Sequence, residues 1–296
     1  MASAEEEEVD NVVVGMGSYK GKVIIVSDYE EEIMLIWAIQ QPIFAKHNAF
    51  VKQSSLQLSI DACGRSLSVL QSPSSLLQSI HAKCNERELS RSWVPLMGLF
   101  PLKYQNLGGT PGVTGSVMWD SGIVLGKFLE HSVESGEISL QGKKVVELGS
   151  GCGLVGCIAA LLGAQVILTD MPDRLKLLKK NVETNLYGDV RGSATVNELT
   201  WGDYLDSDFT DPLPDFVLGS DVVYSEGAVV DLMETLVDLC GKQTTVLLAG
   251  ELRNDAILEY FLEAAMKEFV VGRVDQEQWH PDYRSSRVAI YVLVKK

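Results

Sequence analysis

The residues best placed to do chemistry lie in Val145-Val146-Glu147-Leu148-Gly149-Ser150-Gly151-Cys152-Gly153-Leu154-Val155-Gly156, where an apolar strand runs into glycines and then a helical pattern. Glycines permit positive φ and let a ligand approach main-chain N–H groups beside a helix start of partial positive charge. About 20 residues on, Gln165-Val166-Ile167-Leu168-Thr169-Asp170 reads as a second strand ending in an acid that can accept bonds from ribose hydroxyls. That layout fits a nicotinamide dinucleotide or S-adenosylmethionine, and the two motifs alone leave the choice open.

The elements around these motifs narrow it. From Lys144 onward the pattern predicts strands at 144–148, 165–170, 194–199, 214–220, 244–250, 268–278 and 287–294. Helices are predicted at 153–162, 173–186, 226–240 and 254–267, with a looser segment after Trp201. The last two strands have no helical pattern between them and read as an antiparallel hairpin. Five parallel strands closed by such a hairpin make a seven-strand Rossmann-like α/β sheet, whereas a dinucleotide oxidoreductase more often continues with βα units. The pattern therefore tilts toward a methyltransferase.

Upstream, Ser55 to Ile60 and Ser66 to Val69 alternate around Asp61-Ala62-Cys63-Gly64 and predict a β-hairpin. The stretch Gly15 to Gly21 imitates a phosphate loop, but strand-like Val23 to Val26 follows it, so a hairpin turn is the better reading. Ile33 to Ile39 is apolar but too short to assign. Residues 71–112 read as a long insertion with a helix at Leu76 to Cys84. The expected division is an N-terminal extension, 1–112, and a catalytic domain, 113–296.

A formal net charge of −15 repels phosphate backbones and argues against a nucleic-acid surface. Much of it sits in Glu5 to Glu8 with Asp10, and in Glu30 to Glu32, which read as solvated tail and surface. The start lacks the basic and apolar regions of a secretory signal. The apolar run Cys152 to Ala164 falls short of the roughly 20 residues that span a bilayer, so no membrane partner is expected. Five scattered cysteines with no Cys-x-x-Cys pair suit a reducing cytoplasm or nucleus, and the four histidines show no zinc spacing. No Gly-x-Ser-x-Gly surrounds Ser150 or Ser220, and Cys152 has no histidine nearby in sequence, so neither a hydrolase nor a thiol nucleophile is supported.

Four motifs taken in order resemble the seven-strand class I methyltransferases, and within them protein-lysine methyltransferase family 16, closest to the methyltransferase-like 21 group. They are Val117-Met118-Trp119-Asp120, the glycine turn above, Glu198-Leu199-Thr200-Trp201-Gly202, and Leu218-Gly219-Ser220-Asp221-Val222-Val223-Tyr224. The resemblance covers about residues 113–296, with the hairpin near 54–70 similar to the family's own. The acidic start and the insertion after Gln71 depart from it.

It implies S-adenosylmethionine as methyl donor and a protein lysine as acceptor, in a chaperone or translation factor. It places Gly149, Ser150 and Gly151 against the methionine half of the cofactor, Asp170 on the ribose, and Trp201 beside the adenine. Trp119 and Ser220 are then cofactor contacts, Glu147 orders the methionine amino group through water, and Asp221 with Tyr224 forms the catalytic Asp-x-x-Tyr. Without the resemblance, Asp221 reads equally as a helix N-cap and Tyr224 as a packing aromatic. Two other functions stay open: transfer to a small-molecule amine, with the insertion as a lid, and a non-catalytic binding module.

Overall fold

The structure is a computed structural model that describes residues 12–39, 49–72 and 116–296. Its elements run β1 (Val12–Met16), β2 (Tyr19–Ile25), α1 (Tyr29–Ile39), β3 (Gln57–Ala62), β4 (Arg65–Leu70), α2 (Asp120–Glu134), β5 (Lys144–Leu148) and α3 (Leu154–Leu161). They continue with β6 (Gln165–Asp170), α4 (Leu175–Asn185), β7 (Ser193–Glu198), α5 (Ser207–Thr210), β8 (Phe216–Ser220), α6 (Glu226–Leu239) and β9 (Thr245–Glu251). The last are α7 (Asp255–Glu268), β10 (Phe269–Val274) and β11 (Val288–Lys295).

The five parallel strands stand in the order β7-β6-β5-β8-β9, and β11 then β10 close that edge antiparallel. These are the seven predicted strands. Among the described residues the sheet has nine, however, because β1 and β2 extend it: β2 pairs β10 antiparallel, with Ile25 opposite Gly272 and Val23 opposite Val274. The expected turn between Gly15 and Gly21 is present at the tip of β1 and β2. The predicted strand to 278 stops at Val274, where two 3₁₀ turns, Gln276–Gln278 and Pro281–Tyr283, take over.

Strand periodicity divides the core between the two faces of the sheet. Val145, Leu218, Leu247 and Ile290 pack with Phe128 of α2, Val155 of α3 and Leu178 of α4. Their neighbours Val146, Val217, Leu248 and Ala289 pack on the other face with Leu232 and Leu236 of α6 and Phe261 of α7. The starts of α6 and α7 carry their own caps: the Ser225 hydroxyl accepts the Ala228 N–H and the Asn254 side chain accepts the Ile257 N–H. Asp28 caps α1, accepting from Glu30 at 2.8 Å and Glu31 at 3.0 Å. The Glu30 to Glu32 run is not all surface: Glu32 is 3% exposed, 2.7 Å from Arg273 and within reach of the Tyr291 hydroxyl. The cation offsets the cost of burying that carboxylate.

The β3–β4 hairpin forms a separate two-stranded sheet, turning through Cys63 and Gly64 with φ of 53° and 72°. Two asparagines of α4 hold its edge as a neighbouring strand would. Asn181 accepts the Leu70 N–H at 2.9 Å and donates to the Leu70 carbonyl at 3.0 Å; Asn185 does the same for Ser68 at 2.7 and 2.9 Å. Asn181 also donates to the Cys152 carbonyl at 2.9 Å, so one amide joins the hairpin to the glycine turn. Asn181→Ala leaves one buried and two part-buried main-chain groups without that amide and should cost about 1–3 kcal/mol in urea unfolding. The helix expected at Leu76 to Cys84, most of the 71–112 insertion, and the Glu5 to Glu8 tail lie outside the described residues.

Candidate active site

Strands β5 and β8 are parallel neighbours with Leu148 opposite Gly219, so the segments leaving their carboxyl ends emerge side by side. On β5 that segment is the glycine turn. Gly149, Gly151 and Gly153 have φ of 60°, 55° and 81°, a region that L side chains rarely enter. Three of the turn's N–H groups bond within the protein. Ser150 N–H donates to the Thr169 carbonyl at 2.8 Å, Gly151 N–H to Asp170 Oδ2 at 2.6 Å, and Gly153 N–H to the Ser150 carbonyl at 2.7 Å. Three of the turn's donors are thus spent on the protein, one of them on a carboxylate. The acid beside the turn suits a ribose hydroxyl, and its negative charge is compatible with the sulfonium of S-adenosylmethionine.

Beneath the turn lies Glu147, 1% exposed, whose Oε2 accepts the Gly156 N–H at 3.1 Å. It anchors the first turn of α3. Burial pushes its carboxyl up to about 8, against an unperturbed value near 4.5. The folded state therefore holds a proton that the unfolded chain releases, so this contribution is complete below about pH 4.5 and is lost as the pH rises to about 8. Glu147→Gln keeps the acceptor and removes the titration. Its unfolding free energy relative to the parent should rise by about 2–5 kcal/mol between pH 5 and 8.5 in paired urea titrations.

Asp170 ends β6 with Oδ1 on the Met171 N–H at 2.8 Å and Oδ2 on Gly151. Burial raises its carboxyl, and the two backbone bonds pull the other way. Each oxygen keeps a lone pair for a hydroxyl. A β-carbon on Gly149 would lie 3.1 Å from the Trp201 ring and 3.3 Å from Val222, so the turn touches both the segment after β7 and the segment after β8. The Trp201 and Tyr224 rings stand 6.2 Å apart, and the Tyr224 phenol is raised by burial and then by the charge of Asp170. Ser220 sits under the first turn of α2, its Oγ 3.4 Å from where a β-carbon of Gly122 would be. The four sequence motifs meet in this one place.

Asp221 is not a helix cap, a role Ser225 fills for α6. It takes φ of 61°, donates its N–H to the Ala249 carbonyl at 2.8 Å, and accepts the Glu251 N–H on Oδ1 at 3.1 Å. Its Oδ2 pairs with the Arg253 guanidinium, which also reaches Glu251 Oε2 at 3.1 Å and lies 3.9 Å over the Trp119 ring. Glu251 Oε1 accepts the Asp120 N–H at 3.1 Å, and the Asp120 carboxylate gathers the N–H groups of Ala49, Phe50 and Val51 at 2.5, 3.1 and 3.1 Å. Sequence reasoning missed Arg253, Glu251 and Asp120. The available signal was position: Glu251-Leu252-Arg253 leaves the carboxyl end of the fifth parallel strand, where open α/β sheets form their crevice. Cys152, in the turn itself, is an inert thiol that burial pushes up to about 12.

Comparison with known proteins agrees with this geometry. Residues 101–268 match the family described as lysine methyltransferase. The chain is 43% identical over 159 residues to the mouse (Mus musculus) protein N-lysine methyltransferase METTL21A, covering 54% of this chain and 70% of that one. The Danio rerio METTL21A is 41% identical over the same shares. The Xenopus tropicalis EEF1A lysine methyltransferase 3 is 35% identical over 170 residues, 57% of this chain and 72% of that one. The glycine turn with Asp170 at its edge, the neighbouring rings of Trp201 and Tyr224, and a match over more than half the chain agree: this protein belongs to the lysine methyltransferase family and takes its methyl group from S-adenosylmethionine.

Proposed function

We propose that the cleft methylates the ε-amine of lysine within a protein, with Asp221 and Tyr224 at the reacting end. The observation that carries this is the contact of Gly149 with Trp201 and Val222, which puts the glycine turn and the residues after β8 in one cleft. Gly149, Ser150, Gly151, Asp170, Trp201, Trp119 and Ser220 would hold the cofactor, with Glu147 shaping the turn from below. When bound, S-adenosylmethionine supplies an electrophilic methyl group on a positively charged sulfur.

The chain's residues then have to deliver a neutral amine in line. A lysine has a reference pKa of about 10.4 and must lose a proton before it can react. Asp221, already bonded to Arg253, accepts an amine N–H through a remaining lone pair and fixes its direction. That is orientation, not proton removal. Trp201 and Tyr224 wall the approach with apolar ring surface, which disfavours the charged ammonium.

The acceptor we propose is a translation factor or chaperone, and EEF1A, for which one relative is named, is the first to test. A site in the cytoplasm or nucleus fits the described cysteines, all of which are free thiols. The division near residue 112 is proposed as a sequence boundary only, since β2 hydrogen-bonds the catalytic sheet. Tritiated S-adenosylmethionine offered with the chain to recombinant EEF1A, to heat-treated lysate protein and to its dialysed small-molecule fraction tests the reading. Label on protein lysine is the expected result. Label confined to the small-molecule fraction contradicts it.

A further inference from the structure

Arg253 sits between the two halves of the cleft. Its Nη2 pairs with Asp221 Oδ2, its Nε with Glu251 Oε2, and its guanidinium lies flat enough to bring its carbon within 3.9 Å of the Trp119 ring centroid. Its side chain is 33% exposed, while those of Asp221 and Glu251 are 10% and 3% exposed. A planar, permanently charged group is therefore shared by two enclosed carboxylates and one aromatic face.

We infer that Arg253 is a positioning residue for methyl transfer: by pairing with Asp221 and stacking on Trp119 it holds Asp221 ionised and oriented, and so sets the acidic limb of the reaction. This rests on the proposed role of Asp221. The physical reason is charge balance. Two carboxylates on one side of a cleft repel, and with no cation between them one takes up a proton. Around Asp221 stand Glu251 and Arg253 beyond β9, Arg287 at 4.0 Å from Glu251, Asp120 at the start of α2, and Tyr224 on its own segment. Within this group Arg253 bonds both carboxylates directly.

The pair also answers a difficulty in the chemistry. An isolated carboxylate would attract the lysine ammonium and hold it protonated, which opposes transfer. A carboxylate whose charge Arg253 partly offsets exerts less of that pull while keeping a lone pair to align a neutral amine. Burial and Glu251 push the Asp221 carboxyl up while the Arg253 charge and hydrogen bond pull it down, so losing the guanidinium raises it further.

The test measures tritium transfer from S-adenosylmethionine to heat-treated lysate protein between pH 6 and 9, for the full chain and for R253K, R253M, E251Q and D221N. The acidic limb of R253M should move up by about 1–3 pH units, so its deficit is large at pH 6.5 and shrinks by pH 8.5. R253K should keep the parent's limb, with a lower rate. E251Q removes the competing carboxylate and should move the limb the opposite way, which keeps the test alive if R253M fails to fold. A deficit in R253M that is the same at every pH, or an R253K as impaired as R253M, overturns the inference. D221N at the parent's rate overturns instead the reading on which it rests.

Discussion

Asp221→Asn should lower methyl transfer to protein lysine by about 100-fold or more while S-adenosylmethionine affinity stays within a few-fold of the parent. The substitution isolates charge and lone-pair direction from shape. Asparagine matches aspartate in size and is among the few residues that tolerate φ of 61°. Alanine would be a poorer probe, because it adds left-handed strain and empties the volume beside Arg253. In the asparagine variant one carboxylate partner of Arg253 is lost and Glu251 remains, so the guanidinium turns toward it and the amine loses its aligned acceptor. The glycine turn belongs to β5 and is anchored by Thr169, Asp170 and Glu147, none of which Asp221 bonds. A rate within a few-fold of the parent would remove Asp221 from the mechanism; cofactor affinity lost in proportion to rate would make its role structural.

Gly149→Val should have the opposite signature, with cofactor affinity falling about 100-fold, or roughly 2.7 kcal/mol, by calorimetry. Two costs act together. A β-branched residue at φ of 60° is strained by about 1–2 kcal/mol, and its β-carbon would stand 3.1 Å from Trp201 and 3.3 Å from Val222. Trp201 has to yield, since Val222 belongs to the buried core, and the ring proposed to lie beside the adenine leaves its place. Gly149→Ala, with the same contact but no branching, should fall between parent and valine. A valine variant that folds and binds the cofactor like the parent would contradict the assignment of the turn.

The parts of this molecule that declared themselves in the sequence are those whose signal is local. The bounds of β5 and β6 were read to the residue, because a short apolar run between a glycine turn and a charged flank leaves little freedom. The terminal hairpin was legible from the lack of a helical pattern between its strands. What stayed hidden depends on partners far away in the chain. The turn near Gly15 to Gly21 was readable, but nothing in Val12 to Ile25 says that β2 will cover the edge of β10, some 250 residues later. Glu32 looked like surface charge in an acidic run until Arg273 and Tyr291 closed on it. Asp120 likewise bonds N–H groups about 70 residues upstream, and Arg253 acquires meaning only when β8 and β9 lie side by side.

The candidate residues divide along the same line. The glycine turn and Asp170 follow from local pattern and the chemistry of a βαβ unit, whereas Trp119, Trp201, Asp221 and Tyr224 were reached through family resemblance. Their common location is now a matter of geometry. Trp201 and Tyr224 are ring neighbours, and Arg253 bridges Trp119 to Asp221.

The measurement that bears most directly on the shared cleft is the electron density of S-adenosylhomocysteine in crystals of this chain. The ribose should lie at Asp170, the adenine against Trp201, and the sulfur along the Gly149 turn toward Asp221 and Tyr224. Density that places the nucleoside elsewhere, or turns the sulfur away from Asp221, would contradict the shared cleft.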